Sequence, residues 1–227
     1  MRRRVSVMLA EFERRVPYAG KLLDVFAPGR SAGAVTRRNT LAAYNRVYAS
    51  DRLLHEYLSP ERLSFYEELA TIFAPLAPKR LIDVGCGTGH LLRFTADRMA
   101  VPPERIVGVD HSEDGIGRGR QLLPSATWIV ADLYDLALTE EFDLVLCTEV
   151  LEHLDEPGRA VDQLLRLCAP DGRVAITVPD GAQDHWEGHI NYWDESQLGA
   201  FLTPSGLTAI ERIEDGRAFL AWLSPAA

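Results

Sequence analysis

The sequence predicts an α/β fold, in which a mainly parallel sheet carries helices on both faces. Two observations predict this fold. Short apolar runs alternate with helical stretches from residue 80 onward, as buried parallel strands and their crossover helices do. A glycine-rich turn at residues 85–89 follows the first of those runs, and open sheets of this kind bind nucleotide-like ligands at such a turn.

A length of 227 residues is enough for one α/β domain and an extension. Hydrophobic residues make up 47% and charged residues 25%, as in ordinary globular proteins. We expect a cytoplasmic location, because no apolar run suits a membrane span or a signal peptide and three cysteines do not suggest a disulfide framework. The net charge of −9 disfavours nucleic acid, whose binding depends on Lys and Arg, and favours a small-molecule partner.

Residues 1–78 precede the alternating pattern and are predicted to form a helical cap or lid, with the core domain at 79–227. Candidate helices cover residues 5–16 and 37–48. A third helix begins at Pro60, because Ser59 is a good N-cap and proline is favoured at the first helical position. The stretch 27–34 is rich in glycine and proline and is predicted to be a loop.

The later elements are predicted from apolar runs and their spacing. The buried strands are placed at 81–84, 106–109, 127–130, 142–147 and 174–178. The remaining elements are helices at 158–168 and 195–202 and two strands at 208–213 and 218–223. A short polar connection containing a glycine joins the last two strands, which is typical of a hairpin.

The turn after the first strand has the pattern Gly-x-Gly-x-Gly, formed by Gly85, Gly87 and Gly89. Glycine at these positions lets a ligand approach the backbone closely. A dinucleotide-binding turn would place its third glycine one residue later, and Asp83 before the turn would repel a pyrophosphate. A carboxylate there instead suits a ligand with an ammonium group, such as the methionine end of S-adenosylmethionine.

Two further aspartates follow the next strands. Asp110 ends the second strand, where a carboxylate can accept hydrogen bonds from ribose hydroxyls. Asp132 follows the third strand, where it could accept from an adenine amino group while the Leu133 backbone donates. Either aspartate alone is more often a loop or cap residue, but together with the glycine turn they predict one cofactor site. We expect the site also to include Cys86, His111, Ser112, Thr148 and Tyr48.

These motifs resemble those of class I S-adenosylmethionine-dependent methyltransferases over about residues 78–225. The resemblance extends to Phe142-Asp143-Leu144-Val145 at the fourth strand and to a turn at residues 167–173, where Asp171 replaces a more usual glycine. It implies a Rossmann-like fold with seven strands, the last of them antiparallel, and S-adenosylmethionine as the cofactor. It says little about the methyl acceptor.

A group of acids and a histidine follows the fourth strand. If a helix begins near Glu149, then Glu149, Glu152 and His153 are spaced i, i+3 and i+4 and share one face. Two carboxylates and an imidazole form most of a divalent-ion site. His185 or His189, in the loop after the fifth strand, could complete it.

This segment resembles that of the quinone-biosynthesis O-methyltransferases and the small-RNA 2′-O-methyltransferases. Both groups have Glu-x-x-Glu-His after the fourth strand and a later histidine followed by an aromatic residue. The resemblance implies that Glu149, Glu152, His153 and His189 bind Mg²⁺, Mn²⁺ or Zn²⁺, which coordinates a substrate oxygen. Two alternatives stay open: His153 or His189 acts as a base without a metal, or the segment is structural and Glu149 lines the cofactor pocket.

Aromatic residues are expected near the acceptor. Tyr44 and Tyr48 share a helix face at i and i+4, so they either pack in the core or close over the cofactor and acceptor. Trp186, Tyr192 and Trp193 surround the later histidines and either pack together or form a wall for a flat or sugar-like acceptor.

Transfer of a methyl group to a hydroxyl needs a base or a metal, whereas a neutral amine needs neither. The sequence therefore favours O-methylation of a small molecule in natural-product or quinone-like biosynthesis, with His153, His189 and Glu149 as catalytic residues. The alternatives are N-methylation of an amine or amino sugar, RNA 2′-O-methylation, a non-catalytic regulator that binds S-adenosylmethionine, and a dehydrogenase. The acceptor and the oligomeric state, monomer or homodimer, stay open.

Overall fold

One seven-stranded sheet with helices on both faces forms the fold in this computed structural model, which describes residues 40–225. The helices are α1 Leu41–Ala49, α2 Asp51–Tyr57, α3 Pro60–Phe73, α4 His90–Met99, α5 Glu113–Leu122, α6 Pro157–Leu167 and α7 Glu195–Leu202. The strands are β1 Leu81–Val84, β2 Ile106–Asp110, β3 Thr127–Val130, β4 Phe142–Thr148, β5 Cys168–Pro179, β6 Leu207–Ile213 and β7 Ala218–Leu223. The predicted helix at 5–16 and loop at 27–34 lie outside the described residues.

The strand order is β3-β2-β1-β4-β5-β7-β6, with β1 to β5 parallel and β7 antiparallel to both of its neighbours. The prediction of seven strands with the last one antiparallel is confirmed. The chain runs outward through β1, β2 and β3 and then crosses to β4 on the other side of β1. The loops after β1 and β4 therefore diverge from a crevice at the carboxyl edge of the sheet, where open α/β sheets bind ligands.

The core has two layers, because adjacent residues of a strand point to opposite faces of the sheet. On one face, Ile82 of β1 belongs to the same buried cluster as Leu164 of α6. On the other face, Leu81 belongs to a cluster with Phe73 of α3 and Leu92 of α4. Helix α3 precedes the sheet in the chain, yet its apolar side is part of the core. None of the helices within residues 40–225 is long and apolar enough to cross a membrane.

Side-chain caps fix the starts of the first helices. Helix α1 begins four residues later than predicted, where the Thr40 hydroxyl accepts a hydrogen bond from the Ala43 N–H at 3.2 Å. The Ser59 hydroxyl caps α3 as predicted and accepts from the Arg62 N–H at 3.4 Å. An N-cap of this kind satisfies a backbone donor that the helix itself leaves free.

Strand β5 includes the segment that was predicted to be a turn. Phe142 of β4 pairs with Cys168, but the next pair joins Leu144 to Arg173. The residues between Cys168 and Arg173 therefore bulge out of the ladder. The Asp-Gly pair in this segment supplies the turn chemistry on which the prediction depended, so the turn exists as an irregularity inside the strand.

Trp128 of β3 occupies a recess that glycines leave open. A Cβ atom added to Gly89, Gly108 or Gly119 would lie 2.2, 2.4 or 2.4 Å from the indole ring. The indole N–H donates to the Leu123 carbonyl at 3.0 Å, which fixes the ring orientation. The Trp128 ring thus packs against the glycine turn at Gly89, against β2 at Gly108 and against α5 at Gly119.

We expect Gly119→Ala to destabilise the protein and Gly117→Ala to stabilise it, although both residues lie in α5. The new Cβ at 119 would overlap the Trp128 ring at 2.4 Å, and overpacking costs about 1–3 kcal/mol. A Cβ at 117 meets nothing within 4 Å, and replacing a helical glycine by alanine gains roughly 0.5–1 kcal/mol. Thermal denaturation should show Tm shifts of opposite sign; a fall in both variants would contradict the packing.

Candidate active site

A cavity of about 420 Å³ opens at the carboxyl edge of the sheet, beneath side chains of α1, α2 and α3. Its size is within the range of small-molecule sites. The predicted site residues that line it are Tyr48, Asp83, Gly85, Cys86, Gly87, Asp110, His111, Asp132, Leu133, Thr148, Glu149, Glu152, His153 and His189. Two predicted cofactor residues, Gly89 and Ser112, do not line the cavity. Gly89 is the N-cap of α4, and Ser112 is the N-cap of α5.

The glycine turn is fastened to the end of β2. The N–H groups of Gly85 and Cys86 donate to the Val109 carbonyl at 2.8 and 3.0 Å, and the Gly87 N–H donates to Asp110 Oδ2 at 2.8 Å. Gly85 and Gly87 have φ angles of +85° and +52°, a region that side-chain-bearing residues rarely adopt. The turn thus needs glycine for its backbone, and Asp110 anchors it besides facing the cavity.

Asp83 has a carboxyl group prepared for a positive ligand. The side chain is 1% exposed, and its Oδ1 atom has no hydrogen-bond partner among residues 40–225. Burial, reinforced by the charge of Asp110, raises the Asp83 pKa to about 8. A buried acceptor without a partner is costly. An ammonium group in the cavity would satisfy this atom and stabilise the ionised carboxylate.

The segment after β4 is not the helix that was predicted from Glu149. Strand β4 ends at Thr148, Glu149 has a φ of +55°, and Leu151–His153 form one 3₁₀ turn. The left-handed backbone at Glu149 interrupts any helix before it could form. The argument that the two glutamates and the histidine share a helical face is therefore wrong.

Glu149 is held by β5. Its N–H donates to the Thr177 carbonyl at 3.1 Å, and the Thr177 hydroxyl donates to Glu149 Oε1 at 3.0 Å. Burial, followed by the charge of Glu214, raises the Glu149 pKa to about 7. Its carboxylate lies outside the compact group formed by the other three predicted metal ligands. Glu149 lines the cavity and stands apart from that group.

Glu152, His153 and His189 form a cluster in which the ligand atoms lie within 4.8 Å of one another. The Nε2 atoms of His153 and His189 are 3.7 and 3.9 Å from Glu152 Oε1. Glu152 is 1% exposed, and neither of its carboxyl oxygens has a hydrogen-bond partner within residues 40–225. Burial raises the Glu152 pKa well above its ordinary value and lowers the His153 pKa to about 3.

This donor set fits a divalent cation. An unpartnered, buried carboxyl group is unusual in a folded protein, and here it faces imidazole nitrogens from two different loops. Two imidazoles and one carboxylate are ligands for which transition ions have high affinity. The same groups could also exchange a proton with a bound acceptor, so the arrangement suits both chemistries that the sequence analysis considered.

The loop after β5 reaches the cluster through backbone hydrogen bonds. The N–H groups of Ile190 and Asn191 donate to the Glu152 carbonyl at 2.9 and 3.1 Å. The Asn191 side-chain amide donates to the Leu154 carbonyl at 2.7 Å. These bonds join the loop to the turn after β4, and they bring His189 beside Glu152.

Asp184 belongs to the site, and the sequence analysis missed it. Its carboxylate is hydrogen-bonded to His189 Nδ1. An Nδ1 that donates to this carboxylate leaves the Nε2 atom, 3.9 Å from Glu152 Oε1, with the free lone pair of the ring. No sequence signal marked Asp184, because a separation of five residues within a loop implies no particular geometry.

The predicted aromatic wall is reduced to one residue. Trp186 lines the cavity, whereas Tyr192 and Trp193 do not. Tyr192 is 43% exposed and Trp193 stacks on Phe201 at a centroid distance of 5.4 Å. His185 also lies outside the cavity lining, so of the two histidines considered for the cluster only His189 reaches it.

Helix α1 covers the cavity. The Tyr44 hydroxyl lies 3.4 Å from His153 Nε2, and Tyr48 is buried beside the glycine turn. The Ser112 hydroxyl, which caps α5, also bonds the Asn45 side chain. Both tyrosines thus contribute to the cavity wall, and Ser112 helps hold the helix that carries them.

A family model described as a methyltransferase domain matches residues 54–211. The chain belongs to this methyltransferase family. The match begins within the region that was predicted to form the cap and ends in β6. The predicted enzyme class, S-adenosylmethionine-dependent methyltransferases, is confirmed.

Two curated methyltransferases illustrate the similarity. Trans-aconitate 2-methyltransferase from Acidovorax ebreus (strain TPSY) is 29% identical over 130 residues, which are 57% of this chain and 50% of the relative. Ubiquinone biosynthesis O-methyltransferase from Thiobacillus denitrificans (strain ATCC 25259 / T1) is 36% identical over 131 residues, which are 55% of this chain and 53% of the relative. The chain thus aligns with about half the length of these relatives.

A solved structure confirms the fold. The N-methyltransferase NodS from Bradyrhizobium japonicum WM9, in complex with S-adenosyl-L-homocysteine, matches with a TM-score of 0.65 and 23% identity. The match covers 83% of this chain and 100% of NodS. The methyltransferase domain described here therefore has the Rossmann-like class I fold.

Proposed function

We propose that this methyltransferase transfers a methyl group to an oxygen atom of a small molecule, most simply a hydroxyl group, in natural-product or quinone-like biosynthesis. The observation that carries the proposal is the buried Glu152 carboxyl group, unpartnered within residues 40–225 and facing two imidazole nitrogens beside the glycine turn. A hydroxyl acceptor must lose its proton to become a good nucleophile. The name of the ubiquinone biosynthesis O-methyltransferase supports the same acceptor atom.

His189 is proposed as the group that receives the proton. Asp184 holds Nδ1 protonated, so Nε2 is free to accept, and the same carboxylate stabilises the imidazolium that forms. The acceptor oxygen then displaces S-adenosylhomocysteine from the methyl carbon, which breaks one carbon–sulfur bond and forms one carbon–oxygen bond. His153 and Glu152 complete the polar wall. Much of the acceleration comes from placing the oxygen in line with the methyl group.

As an alternative to His189 acting as the base, Glu152, His153 and His189 are proposed to hold a divalent ion, because an Nε2 atom that ligates a metal has no lone pair left for a proton; Glu149 is not part of this set. Bound there, an ion would lower the pKa of the acceptor hydroxyl. Because two of the three donors are imidazoles, the set favours Mn²⁺ or Zn²⁺ over Mg²⁺, which prefers oxygen ligands.

Chelation is expected to lower turnover by at least about tenfold, and Mn²⁺ or Zn²⁺ should restore it. The affinity for S-adenosylhomocysteine, measured by calorimetry in the chelator, should stay unchanged, because the cofactor residues are separate from the cluster. Full turnover by protein that elemental analysis shows to be metal-free would exclude a role for the ion. In that case the proton-accepting role of His189 would stand alone.

Residues 1–78 are proposed to act as a cap on the domain at 79–227. Tyr44 and Tyr48 of α1 and Tyr57 of α2 line the cavity from this side. Access for an acceptor would then depend on these helices. The cap would also favour a small acceptor over a structured RNA.

An amine acceptor is the second candidate, and the charge of the cavity favours it. The carboxyl groups that line the cavity are Asp83, Asp110, Asp132, Glu149, Glu152, Asp184 and Glu214. They would attract a cation, and NodS is an N-methyltransferase by name. Incubation with isotopically labelled S-adenosylmethionine and a panel of phenols, catechols, hydroxy acids and amino sugars, followed by NMR of the products, separates the two. Exclusive labelling of nitrogen would refute O-methylation.

A further inference from the structure

Arg62 is a positive charge in the wall of an otherwise acidic cavity. It lies in the first turn of α3 and its side chain lines the cavity. Its guanidinium carbon lies 4.4 Å from the centre of the Tyr57 ring. A guanidinium group held over an aromatic ring keeps its edge available for a planar anion.

The Arg62 guanidinium forms no salt bridge within residues 40–225; its side chain is hydrogen-bonded to Tyr66, while its buried Nε atom has no hydrogen-bond partner there. Arg217 also lines the cavity, but it is already paired with Glu214 at 3.3 Å. Arg118 likewise pairs with Asp51 at 2.6 Å. A partly buried guanidinium that lacks a carboxylate partner is costly unless a ligand supplies one.

Arg62 lines the same cavity as the cluster of Glu152, His153 and His189. Glu149 also lines this cavity, and the charge of Arg62 acts on Glu149, Glu152 and His153. Burial disfavours the charge of Arg62, but Tyr57, Tyr66 and Glu149 outweigh that effect and raise its pKa, which keeps the guanidinium charged. A ligand bound by Arg62 would therefore interact electrostatically with the cluster of Glu152, His153 and His189.

We infer that the methyl acceptor carries an anionic group, most simply a carboxylate, and that Arg62 binds it. This inference rests on the proposed small-molecule acceptor and adds its chemical class. A carboxylate matches the planar donors of a guanidinium, and such charge-assisted pairs are strong when water is excluded. Arg62 would then determine specificity by orienting the acceptor with its nucleophilic oxygen towards Glu152 and His189.

The test compares acids with their neutral esters. Binding of 3,4-dihydroxybenzoate and of its methyl ester is measured by calorimetry on protein saturated with S-adenosylhomocysteine, and the aliphatic acid tricarballylate and its trimethyl ester form a second pair. We expect at least one acid to bind about tenfold or more tightly than its ester. If neither acid binds more tightly than its ester, the inference is wrong, whether or not methylation occurs.

Variants of Arg62 separate a binding role from a structural one. Arg62→Gln should abolish the preference for the acid and leave the affinity for the ester and for S-adenosylhomocysteine unchanged, while Arg62→Lys should keep part of the preference. With a turned-over acceptor, the change should appear in KM far more than in kcat. Arg52→Gln, at a side chain 76% exposed and paired with Glu56, is the control. Equal loss of acid and ester binding in Arg62→Gln would overturn the inference, whereas failure of O-methylation with a retained acid preference would refute only the proposed function.

Discussion

Glu152→Gln is expected to lower kcat by roughly 100- to 1000-fold, the magnitude typical of losing a group that assists proton transfer. Glutamine keeps the size of the side chain but cannot carry the negative charge that balances a protonated imidazole or a bound cation. Both Nε2 atoms lie within 4 Å of Glu152 Oε1, so the change acts directly on the reacting groups. Steady-state kinetics, with the affinity for S-adenosylhomocysteine measured in parallel, gives the result.

The cofactor affinity should hardly change in this variant, because Glu152 is not among the residues proposed to bind the cofactor. Glu140→Gln is a matched control, since Glu140 is an exposed surface residue paired with Arg80. Asp184→Asn should also lower kcat, because the amide would no longer fix the tautomer of His189. Wild-type turnover in Glu152→Gln would show that the cluster is structural and that methyl transfer proceeds by positioning alone.

The residues proposed to bind the cofactor were accessible to sequence reasoning because their geometry is local. Gly85 and Gly87 adopt positive φ angles within a turn of a few residues, and a glycine pattern records that requirement directly. Asp83 lies one residue before the end of β1 and Asp110 ends the neighbouring parallel strand β2, so their convergence follows from the order of strands. The same reasoning correctly located the edge of the sheet at which the cavity opens.

The acceptor half was less accessible because it is assembled by long-range contacts. Glu149 was predicted to begin a helix, but its bonds to Thr177 of β5 fix a left-handed backbone there. Asp184 and Arg62 carry no motif, and each faces the cavity only after the chain has folded around it. The periodicity of a sequence indicates which residues share a face of one helix or strand. It could not predict contacts between residues that are distant in the chain.

The ends of the helices and strands show the same contrast between local signals and long-range contacts. Strand β1 and helix α7 have the predicted ends, since caps and apolar periodicity mark them in the sequence. The extension of β5 back to Cys168 depends on its pairing with Phe142 across the sheet. The recess for Trp128 likewise requires glycines from three separate elements. The start of β5, which a partner strand sets, was therefore misplaced by sequence reasoning, and so was the start of α1, which the Thr40 cap sets.

Asp83→Asn is expected to weaken S-adenosylmethionine binding by about 10- to 100-fold, as the loss of a hydrogen bond to a charged group does. The same variant should be more stable than the wild type in the absence of ligand at pH 8. Burial, reinforced by the charge of Asp110, raises the pKa of Asp83 to about 8 in the folded chain, well above the ordinary value of an aspartate. Burial therefore favours the protonated acid, which asparagine resembles at every pH.

The sign of the pH dependence follows from linkage. A carboxyl group whose folded pKa lies above its unfolded pKa contributes its full stability only below the unfolded value, and that contribution is lost as the pH rises through the folded value. For Asp83 the loss extends from about pH 4 to about pH 8. Wild type and Asp83→Asn should thus have nearly equal Tm at pH 4, and the variant should melt roughly 5 °C higher at pH 8.

The weaker cofactor binding and the higher stability of ligand-free Asp83→Asn at pH 8 have one cause, the buried carboxyl group of Asp83. Both must therefore be observed in the same variant. If the ammonium group of the cofactor binds Asp83, it stabilises the ionised carboxylate, so wild-type binding should release a proton near pH 7. Calorimetry in buffers of different ionisation enthalpy would detect this proton. Asp83→Asn should release less, and Asp97→Asn, at an exposed surface pair, should behave as wild type. A variant that binds the cofactor normally, or that melts below the wild type at pH 8, would show that Asp83 is structural. The glycine turn alone would then account for binding of the methionine end.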